Sequence, residues 1–161
     1  MSWVLHRIDD RLIHGQVLVA WGSRYNPARI WVVDDAVAAS GWEADLFRDA
    51  APGIDVRVAT VAAAAAAHAA EAAASGTAFL IVRDLATALA LCEAGAQFAS
   101  FNIGGLHYAP GKAKVNEFVY LDEAARQAAH ALLARGVALE VQDVPATWPQ
   151  ALAALEPAIL P

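Results

Sequence analysis

Short runs of β-branched and aromatic residues recur along this chain, and most are separated by segments with helical spacing and capping residues at their heads. Seven strand candidates fall at roughly 3–8, 29–34, 54–59, 78–82, 98–103, 117–121 and 137–142. Between them, Val17, Leu18, Ala20 and Trp21 mark an amphipathic segment after the first strand. Thr60 stands where it can cap an alanine-rich helix that stops near Ser75-Gly76, and Asp84 one that ends at Gly95. Asp122-Glu123 opens another, with Ala125, Ala129, Leu132 and Leu133 on one face and Gly136 as terminator. Thr147, with Pro149 in the first turn, is expected to begin a last short helix before Pro157. Strands that alternate with helices pair in parallel and are covered on both faces. The expected fold is therefore α/β, a three-layer α/β/α sandwich with a mainly parallel sheet of about six or seven strands.

The 161 residues suit a single domain spanning 1–161, and no linker interrupts them. The low-complexity run Ala62–Ala74 is a helix built from the strongest helix former. One stretch breaks the alternation. From Asn102 to Phe118 the chain is too polar and too rich in glycine for a helix, so a long, functional loop is expected there. No apolar run approaches the ~20 residues needed to cross a bilayer. The amino terminus lacks a signal-peptide pattern, and the single cysteine, Cys92, excludes an intramolecular disulfide, so a cytoplasmic protein is expected. Cys92 shares a helical pattern with Leu85, Leu89 and Leu91 and reads as a buried, inert thiol.

A net charge of −6 argues against nonspecific binding to nucleic acid or anionic lipid. Yet Arg7, Arg11, Arg24 and Arg29 crowd the first 29 positions, which suits a small anionic ligand or an acidic partner. The loop that leaves the first strand is the most chemically loaded segment: Arg7-Ile8-Asp9-Asp10-Arg11-Leu12-Ile13-His14-Gly15-Gln16. Open α/β sheets bind ligands outside the carboxyl ends of their strands, and a helix beginning there offers free N–H groups to an anion. His14 is thus well set to carry or meet a phosphoryl group, with Gly15 and Gln16 at the helix start as phosphate-binding candidates. Arg11, three positions earlier, can grip phosphate oxygens with its planar fork. Asp10 can accept a hydrogen bond from the imidazole and fix the tautomer that leaves the other nitrogen nucleophilic. Asp9 and Asp10 also stand where solvated strand-end charges are common, and at least one of them is expected to be no more than that.

Asn102-Ile103-Gly104-Gly105 closes a strand, and Gly104 and Gly105 suit either an anion nest or a turn with positive φ. Lys112 and Lys114 suit either a phosphate clamp or a solvated pair. His68 and His130 lie in helical patterns at surface or half-buried positions, and His6 lies in the first strand. His107 follows the diglycine, where nothing in the sequence separates a site residue from a loop histidine. No histidines or cysteines show metal-ligand spacing, so no metal is expected. Neither a dinucleotide fingerprint nor a Walker loop is present, and no cofactor is expected.

The segment Arg7–Val17 resembles the active-site signature of the IIB subunits of the mannose/fructose/sorbose family of the bacterial phosphotransferase system (PTS). The resemblance continues through Val32-Val33-Asp34-Asp35-Ala36-Val37-Ala38, Ala50-Ala51-Pro52, Asn102-Ile103-Gly104-Gly105 and Gly111-Lys112. It ends with Gly136-Val137 and Gln142-Asp143-Val144-Pro145, in order along nearly the whole chain. It implies a phosphotransferase of the sugar-transport system. The phosphoryl group would pass from a IIA phosphohistidine to His14, usually at Nδ1, and onward to a sugar imported through the membrane subunits IIC and IID. In that reading Arg11 stabilises the phosphoryl group, Asp10 orients the ring, and Gly15, Gln16, Gly104, Gly105 and Lys112 line the phosphate site. Many members carry an aspartate and, three residues later, an arginine that approaches this loop. The corresponding residues here are Ser40 and Glu43, with Arg48 as a substitute cation on the same helix. That departure motivates an alternative, a regulatory phosphoprotein whose His14 phosphorylation controls partner binding. A more distant reading is a small nucleotide- or phosphate-binding domain. A homo-oligomer is compatible with the alanine-rich helices, and the identity of the sugar is not legible.

Overall fold

A computed structural model describes residues 3–161. The first strand, β1 (Trp3–Asp9), runs into a π-helical turn, Gln16–Trp21, which continues as α1 (Gly22–Tyr25). There follow β2 (Arg29–Val33), α2 (Asp35–Ala38), α3 (Gly41–Ala50), β3 (Asp55–Ala59), α4 (Val61–Ala73), β4 (Ala78–Val82), α5 (Leu85–Glu93) and β5 (Ser100–Gly105). The remaining elements are β6 (Ala113–Lys114), β7 (Tyr120–Leu121), α6 (Glu123–Ala134), β8 (Ala138–Val141), β9 (Gln150–Ala151), α7 (Leu152–Leu155) and a 3-10 turn over Pro157–Ile159. Helix starts follow their capping residues: Thr60, Asp84 and Asp122 each accept the backbone N–H three residues on, at 3.2, 2.7 and 2.7 Å.

The main sheet has seven strands in the order β3-β2-β4-β1-β5-β8-β9, all parallel except the last pair. It confirms the three-layer α/β/α expectation. β1 lies centrally between β4 and β5, so its carboxyl end opens onto the ends of both neighbours. Every residue of β4 is buried, as both faces of a covered parallel strand must be. One apolar layer gathers Ile8, Val33, Leu80, Leu91, Phe101 and Leu132; the other gathers Leu5, Leu12, Val17, Trp21, Phe79 and Ile81.

Two sequence expectations fail, and both at short segments. The run 117–121 does not enter the main sheet: β7 pairs antiparallel with β6 as a separate ribbon inside the long segment after β5. Val119 and Leu121 are fully buried, so the apolar signal was real, but it reports packing rather than sheet membership. Thr147 and Pro149 do not begin a helix. The chain first forms β9 against β8, and the helix starts only at Leu152. The backbone hydrogen bonds available along the edge of β8 outweigh a weak local helix start. No helix among the described residues is long and apolar enough to cross a membrane.

Candidate functional site

Beyond β1 the chain turns sharply. Leu12 N–H donates to the Asp9 carbonyl at 2.9 Å, and Leu12 itself takes φ 56° while its side chain is fully buried. A leucine in the left-handed region is strained, and burial in the core beside Val17 and Trp21 holds it there. That anchor fixes the position of His14 two residues later. The helix then starts from the His14 carbonyl, which accepts the Leu18 N–H at 3.1 Å. The first turns are π-helical, a geometry often found at functional sites, with Trp21 held by its Nε1–H donated to the Asp143 carbonyl at 3.0 Å.

The imidazole of His14 is 15% exposed. Its Nδ1–H donates to the Leu12 carbonyl at 3.0 Å, while Nε2 lies 3.7 Å from an Asp9 carboxylate oxygen and has no hydrogen bond among the described residues. Asp9, not Asp10, is thus the carboxylate beside His14. Asp9 is fully buried and bound to the equally buried Arg7 at 3.1 Å, and its other oxygen accepts the Arg11 backbone N–H at 3.2 Å. The expectation that one of the two aspartates is merely solvated also fails. Asp10 accepts both the backbone N–H of His107 at 2.7 Å and its ring Nδ1–H at 2.6 Å. Asp10 therefore orients His107 rather than His14.

Arg7 explains much of the surroundings. Its guanidinium bonds Asn102 Oδ1 (2.6 Å), the Gln142 carbonyl (3.1 Å), Asp9 (3.1 Å) and the Asp143 carbonyl (3.0 Å), and lies over the Trp21 ring at 5.3 Å. Burial pulls its pKa down, and the Asp9 carboxylate works against that shift. A β-carbon on Gly104 would fall inside this guanidinium. Gly104 therefore corrects the sequence expectation. It is an extended strand residue without positive φ, neither a turn nor a nest, and the missing side chain makes room for Arg7. Gly105 does border the loop: a β-carbon there would stand 3.7 Å from both Arg11 and Asp9 and 3.2 Å from His107.

Arg11 is half exposed and donates to Gln16 Oε1 at 3.2 Å, so these two candidates share one edge of the loop. Gly15 sits at the helix start with open space where a β-carbon would be. Lys112 is not brought in: its backbone N–H donates to Ala109, and its ammonium forms no ion pair or hydrogen bond among the described residues. Arg48 pairs with Asp45 at 2.8 Å and does not substitute for a site cation. Glu43 lines an apolar groove of about 310 Å³ with Ile13, Trp42, Leu46 and Phe47, beside the His14 loop, and the Ser40 hydroxyl is buried without a partner among the described residues.

Sequence reasoning missed Asp9, Arg7, His107 and Arg83. The first two were within reach: Leu5, Arg7 and Asp9 share one face of β1 by period two, and Leu5 marks that face as buried. Arg83 follows β4, donates to Asp34 at 2.8 Å and to the Asp10 carbonyl at 3.3 Å, and so ties the loop to the end of β2. Partial burial opposes ionisation of Asp34, but Arg83 and the Val37 N–H outweigh it and hold its pKa below the ordinary value. His68 is buried, not at the surface or half-buried, and stacks on Trp3. Cys92 is partly buried, and that burial raises its pKa, in keeping with an inert thiol. No group of acidic, histidine or cysteine side chains among the described residues could hold a metal ion.

Comparison with known proteins identifies the family. The family model for the PTS system sorbose subfamily IIB component matches residues 3–156. The sorbose-specific EIIB component of Klebsiella pneumoniae is 36% identical over 145 residues, covering 89% of this chain and 88% of that protein. The mannose-specific EIIAB component of Escherichia coli K12 is 38% identical over 141 residues; the match covers 87% of this chain but 44% of that longer protein. The crystal structure of the IIBSor domain of the sorbose permease from Klebsiella pneumoniae superimposes with a TM-score of 0.88 at 33% identity, covering 98% of both chains. With a family match over almost its whole length and relatives above 30% identity, this chain belongs to the sorbose subfamily of PTS IIB components.

Proposed function

We propose that the protein is a phosphoryl carrier that receives a phosphoryl group on His14 from a IIA phosphohistidine and delivers it to a sugar admitted by the IIC and IID membrane subunits. The observation that carries this reading is the placement of His14. It stands at the carboxyl end of the central strand, at a helix start, with the Arg11 fork on the same loop and acceptors for its ring protons on two sides. A phosphoryl group on one ring nitrogen leaves the other N–H facing either the Leu12 carbonyl or the Asp9 carboxylate. That proton lets the ring depart as neutral imidazole when the P–N bond breaks. Transfer between imidazoles needs positioning and charge stabilisation rather than a metal. Because Nδ1 is bonded to Leu12 in this conformation, loading at Nδ1 requires the ring to turn away from that carbonyl. Arg11 then meets the phosphoryl oxygens, with Gly15, Gln16 and Gly105 around them.

Incubation with a 32P-labelled IIA donor should label the wild-type chain, and His14→Ala should remove the label. Label surviving in that variant would exclude His14 as the acceptor. A regulatory phosphoprotein is the second reading, favoured by Glu43 on the groove beside Ile13, where a carboxylate repels an incoming dianion. Its signature is label on His14, a partner captured only in the labelled state, and no sugar phosphate with IIC and IID present.

A further inference from the structure

The long segment after β5 carries a second histidine that the carrier reading leaves unused. His107 is 54% exposed, yet it is rigidly mounted. The residue before it, Leu106, is tied to the β6–β7 ribbon through Leu106 N–H to Phe118 and Tyr120 N–H to Leu106, at 2.9 and 2.8 Å. Its own backbone N–H and its Nδ1–H both end on the Asp10 carboxylate. A carboxylate acceptor places the proton of the neutral ring on Nδ1 and leaves the lone pair on Nε2, which has no partner among the described residues. This carboxylate–imidazole pair has the construction of a general base. Gly105 joins the two halves of the site. The space beside its α-carbon is bordered by His107 Cε1, the Arg11 guanidinium and Asp9, and Asp9 in turn borders His14.

We propose that His107, oriented by Asp10, takes the proton from the hydroxyl that attacks phosphorylated His14. The inference rests on the phosphoryl-carrier reading and adds the group that serves its second step. In that step the acceptor oxygen forms a P–O bond as the P–N bond to His14 breaks. The bonding pair returns to the His14 ring nitrogen, and the hydroxyl proton passes to Nε2 of His107. Loading from a phosphohistidine donor moves a phosphoryl group from nitrogen to nitrogen and has no hydroxyl proton to remove, so His107 acts on discharge alone.

The test separates these steps in the full chain. His14 is loaded from a 32P-labelled IIA donor, the donor is removed, and discharge to water and to glycerol is followed. His107→Ala should load as wild type does and discharge on the order of a hundredfold more slowly. His107→Asn keeps a side-chain donor toward Asp10 but has no basic nitrogen, and should be as slow as His107→Ala. Wild-type discharge in either variant overturns the proposal, and recovery in His107→Asn alone assigns His107 a purely structural part. Loss of loading together with discharge also overturns it. Absence of label on the wild-type chain sinks the carrier reading itself, a result distinct from the others.

Discussion

Neighbouring residues of β1 send their side chains into two contrasting interiors. His6 points into an aromatic layer, 4.9 Å from Phe98 and 5.6 Å from the rings of Trp3 and His68, and its Nε2 has no partner among the described residues. Arg7, one residue on, points to the opposite face, into a web of carbonyls, an amide and a carboxylate. Both side chains are titratable, Arg7 fully buried and His6 half-buried, but the sheet treats them differently. In the apolar layer the proton is excluded: burial first, and the nearby His68 second, push the His6 pKa down to about 4. In the polar layer the charge is kept, because four acceptors replace its water. The functional loop grows from the second kind of interior, where fixed charges are already in place.

The contrast breaks most severely at Arg7. Arg7→Met would strip the buried Asp9 carboxylate of its buried cation, leaving it only the half-exposed Arg11 at 3.5 Å, and would take the Arg7 donor from the Gln142 carbonyl. A loss of about 3–5 kcal/mol is expected in a denaturant titration. A loss under about 1 kcal/mol would show that the web is a passive solvation shell. On the other face the test is pH. The unfolded chain binds a proton at His6 near the ordinary value of 6.5, and the folded chain only near about 4. Between those values the unfolded state holds more protons, so stability is complete above the unfolded pKa and falls as pH drops toward 4. The loss is up to about 3 kcal/mol. The shift of His68, also downward from burial, acts in the same sense. His6→Phe should flatten this acid limb in thermal melts recorded across the range; an unchanged limb would assign it to other groups.

A smaller effect tests the seam between the two layers. Gly104→Ala puts a methyl where the Arg7 guanidinium lies, and a destabilisation of about 1–3 kcal/mol is expected by calorimetry. Because Arg7 holds Asp9, the same variant should also slow loading of His14. Smallest of all is Arg48→Ala. Its exposed pair with Asp45 contributes under about 0.5 kcal/mol, and loading of His14 should be unchanged. A loading defect there would reopen the idea that Arg48 reaches the loop.

These expectations also show how far local pattern carried. The helix caps at Thr60, Asp84 and Asp122 were legible because capping is a matter of three or four consecutive residues. The placement of His14 at a strand-to-helix junction was legible for the same reason. Less legible was the partner of each acid. Asp9 and Asp10 are adjacent and chemically identical, and only the parity of β1 and the strand beside it assign one to His14 and the other to His107. The weak elements near 117–121 and 147–155 failed because their structure depends on which strand edge is free to receive them.

The sequence by itself determined the alternation of the longer strands and helices, the α/β class, and the inventory of the loop from Arg7 to Gln16. Each follows from periodicity and capping, which act over a few residues. The tertiary structure decided that β4 and β5 flank β1 and that β8 lies beyond β5. Through that order it decided that Arg7 is buried beneath Gly104, that Asp9 faces His14, and that His107 hangs on Asp10. The contacts of Gly104 with Arg7 and of His107 with Asp10 each join residues 97 positions apart. Hydrogen bonds across a sheet depend on strand order and register, which local sequence preferences do not encode.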